Sequence, residues 1–187
     1  MKNWTFLLVM LVSWSIYGQS DNNPDQVIEE AREIGLSFSG FDDFNILYKK
    51  DRPEGYRARH RLIQGDIGYN SNNRDIDIGL GYAYGRERDK RIAEKLDFYH
   101  GPEYSLFMSY SNALNTIDER SYLLRVVPSF GYILGFKLAL ADKCYIAAEV
   151  IPALRSNFIV RDGDLDSFQT GVNLNSNATT LALMYRF

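Results

Sequence analysis

The chain predicts an all-β fold: a closed, antiparallel, up-and-down transmembrane β-barrel of about eight strands. Three observations carry that reading. The closing stretch Thr179–Phe187 alternates, with Leu181, Leu183, Tyr185 and Phe187 on one parity and Thr180, Ala182, Met184 and Arg186 on the other. That is the period of a strand with one apolar face. The same alternation recurs from Ile34 onward in segment after segment. Across those segments the apolar parity holds the bulky aromatics, and the polar parity holds glycine, serine, alanine and charge. A packed water-soluble core takes its large residues inside and needs no glycines on its wet face. Small and charged inside, bulky and apolar outside, is the inverted arrangement of a lipid-facing barrel.

The chain has 187 residues, enough for one domain. Residues 1–18 read as a secretory signal peptide. Lys2 supplies a positive start, Trp4 to Tyr17 is mostly apolar, and Tyr17-Gly18-Gln19-Ser20 closes it with small and polar residues. That run is too short for a spanning helix. Residues 19–33 form a polar lead-in, in which Asn23-Pro24 opens a short helix or the chain stays flexible. Residues 34–187 are the barrel. Without the leader, which contains Lys2 and no acid, the formal charge moves from −3 to −4. This mild acidity argues against a nucleic-acid partner. Cys144 is the only cysteine, which excludes a disulfide framework.

In chain order, the first strand places Ile34, Leu36, Phe38, Phe44, Ile46 and Tyr48 on one face, opposite Gly35, Ser37, Ser39, Asp43, Asn45 and Lys49. Asp51–Gly55 is a turn. The second strand, Tyr56–Asn70, is clear in its later half, where Ile63, Ile67 and Tyr69 oppose Gln64, Asp66 and Gly68. In its first half Arg57, Arg59 and Arg61 fall on the apolar parity. Either they rise beyond the apolar belt, or a bulge near Leu62 flips the register. After Ser71–Asn73 the third strand alternates cleanly, Ile76, Ile78, Leu80, Tyr82 and Tyr84 against Asp75, Asp77, Gly79, Gly81, Ala83 and Gly85. Arg86–Asp97 reads as a loop of mixed charge. The fourth strand runs Phe98–Ser111 and the fifth Ser121–Leu140, joined by Asn112–Arg120. Ala141–Lys143 turns into a sixth strand carrying Ile146, Ala148, Val150, Leu154 and Phe158. Pro128 and Pro152 mark bulges or weak points of the ladder. Arg161–Ser167 is an acidic loop, Phe168–Leu174 a short seventh strand, and Thr179–Phe187 the eighth.

The leader, the eight alternating strands and the terminal Leu181-x-Leu183-x-Tyr185-x-Phe187 resemble a small outer-membrane β-barrel of the OmpA/OmpX-like class. The leader end and the run Phe98-Tyr99-His100-Gly101-Pro102-Glu103 are similar to small barrels of Bacteroidetes. The resemblance implies export to the outer membrane and contact with its lipid and lipopolysaccharide. It also implies that Leu181, Leu183, Tyr185 and Phe187 act as an assembly signal for the barrel-assembly machinery. Barrels of this class have short periplasmic turns and long outer loops. With a periplasmic N-terminus, the strand count above puts Asn112–Arg120 and Arg161–Ser167 on the inner side, a departure from that pattern.

The candidate lumen charges are Asp43, Asp75, Asp77, Glu103 and Glu149, against Lys49, Arg125, Lys137, Arg155 and Arg186. Buried charges must be paired, so they read as an ion network that plugs the lumen. The sharper alternative is a narrow ion path or a binding cavity. Arg86, Arg88, Lys90, Arg91 and Lys95 offer a loop interaction site. Lipid A deacylases of this size pair a histidine with a hydroxyl two positions on, and neither His60 nor His100 has one. No enzyme, cofactor or metal is therefore expected. Asp162-Gly163-Asp164-Leu165-Asp166 spaces carboxylates like a calcium loop, but Ser167 and Asn173 stand where glycine and glutamate belong. Asn177-Ala178-Thr179 matches a glycosylation sequon. The expected role is non-enzymatic, as a structural, adhesion or interaction protein. A small-solute channel or a soluble exported ligand-binding barrel are the alternatives.

Overall fold

The computed structural model describes residues 31–39, 44–70, 75–114, 120–173 and 179–187. The predicted leader, most of the polar lead-in, Asp43 and Asn177 lie outside them. Ten strands run in chain order: β1 (Arg32–Phe38), β2 (Phe44–Arg52), β3 (Tyr56–Asn70), β4 (Asp75–Ala93), β5 (Leu96–Leu114), β6 (Arg120–Ala141), β7 (Cys144–Val150), β8 (Ala153–Arg161), β9 (Asp164–Asn173) and β10 (Thr179–Arg186). Eight of them close a ring, β1-β2-β3-β4-β5-β6-β7-β10 and back to β1, with every neighbouring pair antiparallel. The fold is the predicted all-β, closed antiparallel barrel.

Ring membership differs from the sequence reading in three places, one of them the predicted sixth strand, which breaks into β7 within the ring and β8 outside it. The predicted first strand is two, β1 and β2, which pair with each other from Arg32↔Lys50 to Phe38↔Phe44. The alternation survives across the break, so parity could not reveal it. The predicted seventh strand, here β9, lies outside the ring and pairs with β8. β8 in turn pairs with the stretch of β6 from Leu123 to Gly131 that β7 leaves free. Ile151-Pro152 divides β7 from β8, at one of the two predicted weak points. At the other, the β6–β8 ladder lapses between Val126↔Phe158 and Ser129↔Arg155, where Pro128 has no N–H to give.

Splitting the first strand removes the departure in loop placement. The turns at 53–55, 94–95 and 142–143 now lie at the end where β1 starts and β10 finishes. The backbone bonds Asp51 N to Ala31 O and Arg186 N to Lys143 O tie that end together. The strand ends Phe38 and Phe44, Asn70 and Asp75, and Leu114 and Arg120, with the tip of the β8–β9 hairpin, lie at the opposite end. The predicted acidic loop Arg161–Ser167 is mostly strand. Its turn is Asp162-Gly163, with φ of 50° and 96°. Two consecutive left-handed residues make the tightest hairpin, and Asp-Gly is the pair that tolerates it best.

Each strand sends alternate residues to opposite faces. Tyr82, Leu106 and Leu183 are 49%, 37% and 54% exposed, on an outer surface that also carries Ile34, Phe44, Tyr104, Phe130 and Phe136. The inner face is not only small and charged, because Leu47, Tyr99, Ile133, Tyr145, Ile151 and Met184 are buried there. The bulky members fit because glycines face them. Tyr99 pairs with Gly135 across β5 and β6, and a side chain at Gly135 would collide with the Tyr99 ring. Gly135→Val is expected to lower the unfolding free energy by about 1–3 kcal/mol through overpacking. Denaturant titration followed by circular dichroism checks this.

The register of β3 resolves its arginines. The β3–β4 ladder shifts between Gln64 and Ile67, so a bulge at positions 65–66 inverts the faces. Arg57, Arg59 and Arg61 therefore point inward, while Ile67 and Tyr69 further along are exposed outside. The bulge was one of the two alternatives open from sequence, and it falls three residues beyond Leu62.

Candidate functional site

The inner face near the chain ends is a set of ions drawn from all eight ring strands. Arg59 is fully buried at its centre. Its Nη1 and Nη2 donate to the two carboxylate oxygens of Glu149 at 2.6 and 2.7 Å, a bidentate fork. Nη1 also donates to Glu87 at 2.9 Å, and Nε lies 3.1 Å from Glu103. Lys49 donates to Glu87 at 2.9 Å and sits over the Tyr99 ring. Tyr99 Oη gives its proton to Glu149 at 2.6 Å, and Thr180 Oγ1 lies 3.3 Å from the same carboxylate. Glu149 thus collects partners from β2, β3, β5 and β10, which stitches opposite walls of the ring together.

A second tier lies closer to the turns. Glu33 accepts from Tyr145 at 2.6 Å and from Arg186 Nη2 at 2.7 Å, with Arg57 at 3.5 Å. Arg57 donates to Asp51 at 2.6 Å and lies 3.2 Å from Asp89. Lys137 reaches Asp89 at 2.5 Å and Asp97 at 3.7 Å. An unpaired buried ion costs several kcal/mol, so the tiers stand only because each carboxylate has at least one cation.

Above Arg59, toward the connections, Arg61 pairs with the other side of Glu103. Beyond that pair the lumen opens into a cavity of about 270 Å³, lined among others by Ser39, Asn45, Arg61, Glu103, Arg125 and Arg155. The Ser105 and Ser129 hydroxyls in its wall bond each other at 2.5 Å.

Of the predicted lumen charges, Lys49, Glu103, Lys137, Glu149 and Arg186 are brought together in the two tiers. Arg125 and Arg155 line the cavity instead. Asp75 opens β4 and Asp77 is exposed near it, both at the far end of that strand from Glu87. Sequence reasoning missed Glu33, Arg57, Arg59, Arg61, Glu87 and Asp89. The alternation of Arg57, Arg59 and Arg61 was the signal for three of them. Glu87 and Asp89 continue the inner parity of Gly81, Ala83 and Gly85, and are hidden in the sequence because the charge density of the segment reads as a loop.

That segment is a correction. Arg86, Arg88, Lys90 and Arg91 belong to β4, and only Glu94-Lys95 forms the turn into β5. The strand persists because its charges alternate across the two faces. Arg86 lies over the Tyr56 ring and Arg91 lies 3.3 Å from Asp97. The group sits at the end of the barrel where β1 starts, not among the longer connections. Leu181, Leu183, Tyr185 and Phe187 all face outward and are exposed. His60 and His100 also face outward, 2.5 Å from Tyr82 Oη and 2.7 Å from Tyr132 Oη. In the calcium-like segment, Asp162 accepts from Tyr122 N and Ser121 Oγ, and Asp166 lies 3.7 Å from Arg161. Among the described residues no group of three or more His, Cys, Asp or Glu stands together as metal ligands.

The arrangement is a closed antiparallel barrel with a charged interior and an apolar exterior, compatible with the small outer-membrane-barrel type of fold. Comparison with family models, curated proteins and solved structures gave no match to this chain.

Proposed function

We propose that this chain is an exported, integral outer-membrane β-barrel of the small OmpA/OmpX-like kind. Its lumen is plugged by the Arg59–Glu149 network, and it acts without catalysis, as a structural, adhesion or interaction protein. The single observation behind this is the inversion of faces. Ile34, Tyr82, Leu106, Phe136 and Leu183 are exposed on the outside, while Lys49, Arg59, Glu87 and Glu149 are buried within. In water such an apolar exterior is an aggregation surface. In lipid it is a solvated one, and the eight-strand ring is closed on itself, with β9 outside it paired to β8 alone among the described residues. The aromatics Tyr48, His60, Tyr84, Phe98, His100 and Tyr132 stand on the outer face near the short-turn end, where a girdle belongs.

In this orientation the short turns are periplasmic. Arg86, Arg88 and Lys90 then face headgroup phosphates of the inner leaflet, and lipopolysaccharide meets the opposite end. The exposed Leu181, Leu183, Tyr185 and Phe187 are the residues offered to the assembly machinery. Interaction with other molecules falls to the opposite end, where β1, β3 and β5 finish and the β8–β9 hairpin turns. The filled lower lumen argues against a channel, and the charged interior argues against a soluble carrier of apolar ligands.

The test is gel mobility with and without boiling, on protein taken from outer membranes and washed in carbonate. A band that shifts on heating and stays with the membrane is expected. Protein released by carbonate would overturn the membrane assignment. In planar bilayers no steady conductance is expected, and a stable selective one would replace the plug with a pore.

A further inference from the structure

The two ionic tiers leave charge unmatched in one place, the cavity above them. Among the described residues three guanidiniums, Arg61, Arg125 and Arg155, line it together with one carboxylate, Glu103. That carboxylate is already shared between Arg59 and Arg61. Among the described residues Arg125 has no carboxylate partner and donates its Nε to Asn157 at 2.8 Å. Arg155 likewise has no ion-pair partner among them. Like charges gathered on one concave wall repel, and the arrangement is stabilised when an anion joins them. A second feature points the same way. Asn45 is 4% exposed, lines the cavity, and its side-chain oxygen has no hydrogen-bond partner. Terminal amide O and N can exchange places, so this position can present donors to a ligand. The buried Arg61 Nε is unpartnered as well. Ser39, Ser105 and Ser129 add hydroxyls to the same lining.

We infer that the upper lumen is a binding site for a small tetrahedral oxyanion, phosphate or sulfate, held by Arg61, Arg125 and Arg155. Planar guanidiniums match the paired oxygens of such ions, and serine and amide donors satisfy the remaining lone pairs. A lipid headgroup carries the same phosphate chemistry as the free ion, and the competition arm of the experiment separates the two sources. The lining comes from β2, β3, β5 and β6 of the ring and from β8, which extends the wall beside β6. Arg125 and Arg155 are exposed toward the connection end, so a solute approaches along the lumen. The inference needs only the barrel, not its location. A chain that binds phosphate but washes off membranes sinks the envelope reading alone.

The experiment titrates inorganic phosphate, and separately sulfate, into the folded barrel in a neutral detergent and low chloride, read by calorimetry. One saturable site is expected for each. Arg125→Gln and Arg155→Gln are each expected to weaken it about tenfold or more, in line with the strength of charge-assisted pairs. Arg155→Lys should retain part of the affinity, and Arg86→Gln on the outer face should change nothing. Heat-dependent gel mobility confirms that each variant is folded. No saturable binding, or unaltered binding in both glutamine variants, overturns the site. Competition by a short-chain phosphatidic acid as effective as free phosphate overturns its assignment to a solute.

Discussion

Arg59→Met is expected to destabilise the barrel by about 3–5 kcal/mol, the cost of breaking a buried pair by removing one partner. Methionine fills much of the same volume, so the loss comes chiefly from charge. Glu149 would lose its bidentate partner and Glu87 one of its two cations, at positions that are 1% exposed. Lys49 lies 3.9 Å from Glu149 and cannot replace the fork. Reversible urea unfolding in lipid or detergent, followed by circular dichroism, measures the change. Arg59→Met combined with Glu149→Gln should recover part of the loss, because the second substitution removes the stranded charge. Their non-additivity gives the coupling between the two walls. A single Arg59→Met variant within about 0.5 kcal/mol of the parent would mean that water already satisfies the carboxylates, since neutral surface changes have that size.

The barrel was legible because alternation is local, and it is the same whether a strand is first or last in the ring. Which residues meet was not, because that depends on events a few residues long. One is the bulge between Gln64 and Ile67, which turns Arg57, Arg59 and Arg61 inward and creates the centre of the network. Parity showed that something must give near Leu62, but neither its place nor its kind. Another is the hairpin between Phe38 and Phe44, where the pattern continues across the connection and two strands read as one. A third is the segment from Arg86 to Ala93, whose charge density resembles a solvated loop. In the fold Glu87 and Asp89 point in, while Arg86, Arg88 and Lys90 point out. Glu87 meets Lys49 and Arg59, and Asp89 meets Arg57 and Lys137, so strand pairing and ion pairing support each other. Charge sign sorted by parity was the readable signal in that stretch. Glu33 carried no signal, because its partners Arg186 and Tyr145 lie more than a hundred residues away.

Leu183→Arg separates a lipid-solvated barrel from a water-solvated one. Leu183 stands opposite Leu36 on β1 and Ile146 on β7, in the middle of an outward apolar row, and is 54% exposed. It touches nothing in the lumen, so the two ionic tiers are indifferent to the change. At the centre of a bilayer an outward arginine on a barrel costs about 2–4 kcal/mol, falling toward zero near the interfaces. In water the same replacement at a half-exposed strand position is worth within about 0.5 kcal/mol either way. The two solvents therefore predict effects several-fold apart at one atom-for-atom identical site. Folding free energies in phospholipid vesicles, for the parent and for Leu183→Arg, provide the measurement. Tyr185→Arg, one outward position nearer the short turns, should cost less, because the long side chain can snorkel to the headgroups. A graded penalty from Leu183 to Tyr185 locates the edge of the hydrocarbon on β10. Two equal and negligible penalties would mean that the outer face of this barrel meets water.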